Sequence, residues 1–363
     1  MQMQDQNLTS KSIIAKPVRV WLFIGLVMVF FQVVIGGITR LTDSGLSITE
    51  WAVIQGTLPP MNPAEWDVAF DAYKVMAKKQ YETLHADMTM SEFKFIYFWE
   101  YFHRLWARLM GFVFIFPFFY FLWKKWMPGW LLKRLGMVIL LAALAATFGW
   151  IMVASGLNDN TRTWVSAYKL SVHLSIATAL FAYLFWTWLK ARQTHGKDAQ
   201  FIQLKNIAWT ITGVLFLQII FGGLMAGMRA GLLHPHFPFF VEGDRLMSAL
   251  TVANDAIGNA VIDYEPSSFV KGVVQIIHRA TAYILSALIV WYYFKARQFN
   301  LSNTLRFGNN LLLGMLVIQF LLGVFTVINS IGRIPLGYGV LHQGGALILL
   351  AFSLYINYQF KEE

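Results

Sequence analysis

No cysteine occurs among the 363 residues. A disulfide scaffold, a thiolate metal site, a cysteine nucleophile and an iron–sulfur cluster are thereby excluded. Charge is scarce too: Asp, Glu, Lys and Arg make up 13% of the chain, about half of the roughly 25% usual in a soluble domain. Acidic residues are the scarcer sign, 19 against 29 Lys and Arg, for a formal net charge of +10. In a soluble protein such an excess suggests nucleic acid. Here it sits in short loops between apolar runs, and no nucleic acid partner is expected. The N-terminus lacks the short apolar core and small-residue cleavage site of a signal peptide, so the first apolar run is expected to be kept.

What the chain has in place of charge is apolar sequence, 57% of all residues. Runs of 18 or more recur along its whole length and read as membrane-spanning helices. Eight are expected, at Val20–Ile38, Phe98–Trp123, Met137–Gly156, Tyr168–Leu189, Ile207–Gly227, Gln275–Phe294, Leu311–Ile328 and Leu341–Phe360. The loops after the second, fourth and sixth runs are basic, with Lys124, Lys125, Lys133 and Arg134, then Lys190, Arg192, Lys197 and Lys205, then Lys295, Arg297 and Arg306. The positive-inside rule puts these loops and both termini in the cytoplasm. The long loops after the first and fifth runs then lie outside. The first carries Ser47-Ile48-Thr49-Glu50, a capping-box pattern, and Asn62-Pro63-Ala64-Glu65, an N-cap followed by proline. Both are read as starts of short helices that cover the outer face; the alternative is a plain solvated connector.

The two halves resemble each other. Gly36-Gly37 matches Gly222-Gly223, His103-Arg104 matches His278-Arg279 within a shared His-Arg-x-x-Ala pattern, and His173 matches His342. The expected fold is an all-α integral membrane protein of eight transmembrane helices, arranged as two pseudo-symmetric four-helix bundles. Residues 1–19 form a cytoplasmic N-terminus, 20–190 the first half, 191–206 a cytoplasmic linker, 207–360 the second half and 361–363 a tail.

Four of the eight histidines fall in the even-numbered runs, and lie 21, 17, 17 and 19 residues from the first lysine at the basic end (Lys124, Lys190, Lys295 and Lys361). At about 1.5 Å per residue they form one layer roughly 26–32 Å from the inner boundary, near the extracytoplasmic face. Ionisable groups within a membrane are costly and mark function. Two facing histidines in a four-helix bundle suit ligation of heme iron from both sides, so one heme per half is expected. Zinc would want a third or fourth ligand. Glu100 stands three residues before His103, one turn toward the outer side; Gln275 holds that position before His278. A carboxylate there can act as a base or stabilise developing positive charge, or else merely pair with Arg104 or Arg108. Arg40, Arg104, Lys169 and Arg279 are candidate partners for heme propionates, with lipid headgroups as the alternative. His85, His234 and His236 fall in outer loops and His195 in a cytoplasmic one; His234-Pro235-His236 is read as part of a solvated loop, with metal binding as the alternative.

The run Gly36-Gly37-Ile38-Thr39-Arg40-Leu41-Thr42-Asp43-Ser44-Gly45-Leu46-Ser47, with Glu50-Trp51 beyond it, resembles the first-loop signature of the heme A synthase family. Glu100-Tyr101-Phe102-His103-Arg104 resembles that family's Glu-x-x-His-Arg motif; Gly149 to Leu157, Tyr168-Lys169-Leu170, Gln275 to Arg279 and Leu341-His342-Gln343 also match. The resemblance implies oxidation of the C8 methyl group of heme O to a formyl group, giving heme A for terminal oxidases. It implies His103 and His173 as axial ligands of the substrate heme O, His278 and His342 as ligands of a heme b cofactor, and Glu100 as the catalytic carboxylate. Implied partners are the farnesyltransferase that makes heme O, cytochrome oxidase assembly factors and an unidentified electron-transfer partner, in the bilayer of the cell's inner membrane. Some members carry a cysteine pair in the first outer loop; this chain resembles the cysteine-free class found in mitochondria and many Gram-negative bacteria. Arg229 to Phe237 departs from the family pattern. The rival function is a diheme b-type cytochrome that only transfers electrons, which the four histidines serve equally well but which leaves Glu100 against Gln275 without a reason.

Overall fold

The computed structural model describes residues 14–50, 58–157, 163–192, 198–238 and 268–360. Its α-helices are α1 (Lys16–Leu41), α2 (Pro63–Met76), α3 (Lys78–Leu84), α4 (Met90–Trp123), α5 (Gly129–Leu157), α6 (Ala167–Arg192), α7 (Ile202–Gly227), α8 (Ser268–Ala296), α9 (Asn303–Ile328) and α10 (Leu336–Gln359). No strand occurs among the described residues. All but α2 and α3 are long and apolar enough to cross a membrane. In hydrocarbon each backbone N–H and C=O must find its partner within the segment, which a helix achieves and an open strand does not. The eight expected runs each fall on one of these helices. The protein is thus a multi-pass, all-helical membrane protein.

All eight spans start earlier than their apolar runs, α4, α5 and α9 by eight residues each. α4 begins at Met90, because Thr89 and Glu92 form a capping box: the Thr89 side chain accepts from the Glu92 N–H, and the Glu92 carboxylate accepts from the Thr89 N–H. α5 begins at Gly129, after Pro128. Hydropathy locates the membrane-buried part of a helix, whereas caps locate its ends.

α1, α6, α7 and α10 form an inner group: α1 packs on α6 and α10, and α7 on the same two, which also touch each other. The outer helices each lie against one or more neighbours, α4 on α1, α5 on α6, α8 on α7 and α9, and α9 on α10. The outer helices expose large apolar side chains, among them Phe112, Phe116 and Phe119 of α4, Leu140 of α5, Trp291 of α8 and Val317 of α9. In water such a belt would be strongly unfavourable, at about 25 cal/mol per Å²; against lipid it costs nothing. The interior separates into two apolar clusters. One joins α1, α4, α5 and α6 through Leu22, Leu26, Phe121, Leu131, Leu135 and Leu184. The other joins α7 to α10 through Ile211, Leu215, Ile289, Leu312, Leu350 and Leu354.

α2 and α3 fold over one end. Phe70 and Tyr73 of α2 pack with Phe93 and Ile96 of α4, Leu157 of α5, Leu46 and Val165. The Asn62 reading holds: its side chain accepts from the Glu65 N–H at 2.9 Å, and Pro63 opens α2. The Ser47 reading does not. Residues 47–50 are irregular, and the residues after them (51–57) lie outside those described. The Ser47 hydroxyl donates to the Glu100 carboxylate and to the Ser44 carbonyl, and no helix follows it at residues 48–50 whose N–H it could accept.

Candidate functional site

Each of the four membrane histidines is seated in a notch on the neighbouring helix, and each notch is a glycine. A Cβ on Gly36 would lie 3.1 Å from His103 Nε2, one on Gly149 3.1 Å from His173 Cε1, one on Gly222 3.4 Å from His278 Cε1, and one on Gly323 2.9 Å from His342 Cε1. The helix pairs are α1 with α4, α5 with α6, α7 with α8, and α9 with α10. A side chain would overlap the imidazole at Gly323 and crowd it at Gly36 and Gly149, whereas at Gly222 it would only come into contact. The second glycine of each Gly-Gly pair faces elsewhere. Gly37 lies against Gln343 of α10, and Gly223 against Ser171 and Leu174 of α6. One dipeptide thus admits a histidine on one side and a close helix crossing on the other.

The histidines meet two by two. His278 and His342 face each other with ring centroids 6.5 Å apart and planes at 82°. His103 and His173 are close enough to interact electrostatically. Among the described residues no three His, Asp or Glu side chains gather as a metal site. The His278–His342 spacing would accommodate a heme iron held from both sides. Two metal–nitrogen bonds of about 2 Å and half a ring at either end fill the spacing of the second pair, and His278 Nδ1 is buried without a hydrogen-bond partner.

One turn before three of the four glycines stands a glutamine that the sequence reading missed. Gln32 donates to the His103 carbonyl at 3.2 Å, Gln218 to the His278 carbonyl at 2.9 Å and Gln319 to the His342 carbonyl at 2.9 Å. The fourth position is Ala145, whose carbonyl accepts from His173 Nδ1 at 2.9 Å. The signal was present as Gln-x-x-x-Gly repeated three times within apolar helices, where an amide is costly unless it has a partner.

Glu100 is 2% exposed and fully engaged. It accepts from Arg104 at 2.6 Å, from the Ser47 hydroxyl at 2.8 Å and from the Ile48 N–H at 2.9 Å. Arg104 also donates to the carbonyls of Ile48 and Glu50. Glu100 and Arg104 therefore hold the segment after α1. Gln275 and Arg279 do the same for the segment after α7: Gln275 donates to the His234 carbonyl at 2.9 Å and Arg279 to the Pro238 carbonyl at 2.8 Å. His234 is buried, which corrects the solvated-loop reading for that residue, while His236 is exposed as expected. The cause is the Gln275 tether, invisible in a local sequence window. His195 lies outside the described residues.

Of the remaining cations, Arg40 donates to the carbonyls of Ala226 and Gly227 at the end of α7 and lies 3.7 Å from Asp43. Asp43 also forms an ion pair with Arg229, and Arg229 covers the Trp164 ring at 4.4 Å. Asp43 and Arg229 each follow the first glycine of their pair by seven residues, and both adopt left-handed backbone, with φ of 56° and 50°. This clasp joins the segments after α1 and α7. Lys169 is half-buried and makes no side-chain hydrogen bond among the described residues. Beside the clasp, His85 Nδ1 lies 2.6 Å from the Tyr73 hydroxyl. Burial holds its pKa below the ordinary histidine value, with Asp43 opposing and Arg229 reinforcing the shift.

These observations define a class: a multi-pass helical membrane protein with paired histidines set in glycine notches between neighbouring helices. The family follows from comparison. The model of the cytochrome oxidase assembly protein family (COX15-CtaA) matches residues 19–354, and the chain belongs to that family. It is 40% identical to a heme A synthase of Flavobacterium johnsoniae over 340 residues, covering 94% of this chain and 96% of the relative. It is also 40% identical to a heme A synthase of Flavobacterium psychrophilum over 347 residues, 96% and 99% of the two chains. A heme A synthase of Nitrosomonas eutropha is 40% identical over 345 residues, 94% and 92%.

Proposed function

We propose that this protein oxidises the C8 methyl group of heme O to a formyl group in successive steps, acting as a heme A synthase and supplying heme A for cytochrome oxidase. The observation that carries the reading is an asymmetry between corresponding positions. A carboxylate, Glu100, stands one turn from His103, whereas a neutral amide, Gln275, stands one turn from His278. A protein that only passed electrons between two hemes would have no use for that difference.

His103 and His173 hold the substrate heme O, and His278 and His342 a resident heme b. When bound, heme b supplies a one-electron relay. The chain does the rest. The glycine notches set each imidazole, and the Arg104–Ser47–Ile48 clamp fixes the Glu100 carboxylate at one place. A carboxylate so fixed would take up protons released as electrons are withdrawn from the methyl group, or stabilise positive charge developing there. Lys169, one turn before His173 on the same face, is the propionate partner best placed to donate, since Arg104 and Arg279 are already committed to loop carbonyls. Arg40 keeps a buried Nε without a partner and is the second candidate.

The two halves, 20–190 and 207–360, form pseudo-symmetric four-helix bundles in this reading. Support comes from the helix packing, in which α1, α4, α5 and α6 exchange with α7, α8, α9 and α10: α1 on α4 answers α7 on α8, α5 on α6 answers α9 on α10, and α1 on α10 answers α7 on α6. The basic loops favour cytoplasmic termini in the inner membrane, with the heme sites toward the extracytoplasmic side. Partners would be the enzyme that makes heme O, oxidase assembly factors and an electron carrier. The test is to express the chain with a heme O source and separate its hemes by chromatography. Heme O or heme A beside heme b is expected; heme b alone would refute the reading.

A further inference from the structure

The four histidines are held in two different ways. In the C-terminal pair a glutamine amide spans both the backbone and the ring of each histidine. Gln218 Nε2 lies 2.9 Å from the His278 carbonyl and 3.4 Å from its Nε2; Gln319 Nε2 lies 2.9 Å from the His342 carbonyl and 3.1 Å from its Nδ1. The N-terminal pair is unequal. The His173 ring is fixed through Nδ1, 2.9 Å from the Ala145 carbonyl. A carbonyl only accepts, so Nδ1 carries the proton, and the Nε2 lone pair is left for a metal. A second-nitrogen hydrogen bond of this kind fixes the tautomer and orientation of a ligating histidine and raises its basicity. Gln32, in contrast, reaches only the His103 backbone carbonyl, at 3.2 Å. That bond ties α4 to α1 but leaves the imidazole torsions free, and the His103 ring makes no hydrogen bond among the described residues.

We propose that His173 is the permanent ligand of the N-terminal pair and His103 the exchangeable one, and that Gln32 is a positioning residue limiting how far His103 withdraws. The proposal rests on the heme reading above. A resident group gains from two fixed ligands. A group that enters as substrate and leaves as product needs one ligand that lets go, and the structure restrains three rings and frees one.

The experiment uses the full chain, co-expressed with a heme O source and purified in detergent. Its readouts are heme content, spin state and CO binding to the reduced form, with the C-terminal low-spin spectrum as the control for folding. His103→Ala is expected to keep an N-terminal heme, five-coordinate and CO-binding, because His173 still holds it. His173→Ala is expected to lose that heme. Gln32→Leu is expected to raise the CO-reactive share of the N-terminal heme about fivefold, the factor carried by one hydrogen bond of ordinary net strength. The reverse pattern, a five-coordinate heme in His173→Ala and none in His103→Ala, overturns the proposal, as does identical behaviour of the two variants. Should a histidine variant lose the control spectrum, Gln32→Leu decides alone, and an unchanged CO-reactive share overturns the proposal. An unaltered six-coordinate N-terminal heme in both histidine variants refutes the ligand reading itself, and with it the inference.

Discussion

Replacing Glu100 by Gln separates the clamp that the structure shows from the proton-accepting role proposed above. As a clamp, Glu100 accepts from Arg104, Ser47 and Ile48. The glutamine keeps one acceptor oxygen for Ser47 and the Ile48 N–H but turns an amide NH₂ toward Arg104. The charge-assisted bond is lost, at a cost of about 1.5–3 kcal/mol. The segment after α1 loosens but stays attached, since Arg104 still donates to the carbonyls of Ile48 and Glu50. Gln275, with a single amide bond to His234, shows that such a tether works without a carboxylate. As a proton acceptor, Glu100 has no such substitute, and loss of a positioned base lowers a rate by about 10²–10⁴-fold. The expected result is a protein that binds heme O and heme b in normal amounts and forms heme A at least about 10²-fold more slowly. The assay is chromatographic quantification of heme O and heme A over time, alongside hydrogen exchange at the Ile48 amide. Heme A at the normal rate would remove Glu100 from the chemistry. A slow rate matched by an equal loss of bound heme O would reduce it to the clamp.

Further outcomes are expected. Gly323→Ala puts a Cβ 2.9 Å from His342 Cε1, inside carbon–carbon contact, whereas Gly222→Ala puts one 3.4 Å from His278 Cε1, an ordinary contact. The first should disturb the C-terminal heme spectrum at an overpacking cost of about 1–3 kcal/mol, and the second should leave it near normal; equal spectra would refute the notch account. Asp43→Arg sets a third guanidinium beside Arg40 and Arg229, and thermal unfolding in detergent should report a loss of roughly 1.5–3 kcal/mol. Adding Arg229→Asp should recover part of it, part only because Arg40 still faces position 43; no recovery would mean that the ion pair does not hold the two segments. His85 gives a pH dependence. Burial keeps its folded-state pKa below the ordinary value of about 6.5, so below that pH the unfolded segment takes up a proton that the folded lid resists. Stability present above about pH 6.5 is lost as pH falls toward the depressed value. Protection from hydrogen exchange in α2 and α3, taken relative to the intrinsic rate at each pH, should fall on acidification from pH 7 to 5 in the native chain, but much less in His85→Phe; an equal fall in both would place the pH sensor elsewhere.

The number and type of the spans were legible because membrane helices obey one strong rule, a long run without charge, and eight such runs gave eight helices. Their ends were less legible. The Thr89–Glu92 box lies in polar sequence outside the apolar run, so hydropathy missed the first part of α4. The Ser47 box failed because no helix follows it at residues 48–50; its hydroxyl donates instead to a distant partner, Glu100, which lies 53 residues on. The four histidines and Glu100 stood out because an ionisable group in an apolar run is unusual. The Asp43–Arg229 clasp did not, because each residue lies just past a helix end, where charge is ordinary, and only packing brings them together.

Corresponding positions in the two halves carry the same groups wherever they build the scaffold: a glycine under each histidine, a paired glycine for the inner crossing, an arginine after each first histidine bound to loop carbonyls. They differ one turn before the first histidine of each half and one turn before the second glycine notch. Glu100 stands opposite Gln275, and Ala145 opposite Gln319. The N-terminal half gains a carboxylate. Where it lacks the glutamine, the Ala145 carbonyl holds the His173 ring instead, and Gln32, though present, reaches only the His103 backbone. The C-terminal half has an amide at each of these positions and a ring contact to each histidine. Amides hold a ligand still and take up no protons at neutral pH, which suits a relay. A free imidazole beside a clamped carboxylate suits a site whose occupant must enter, react and leave.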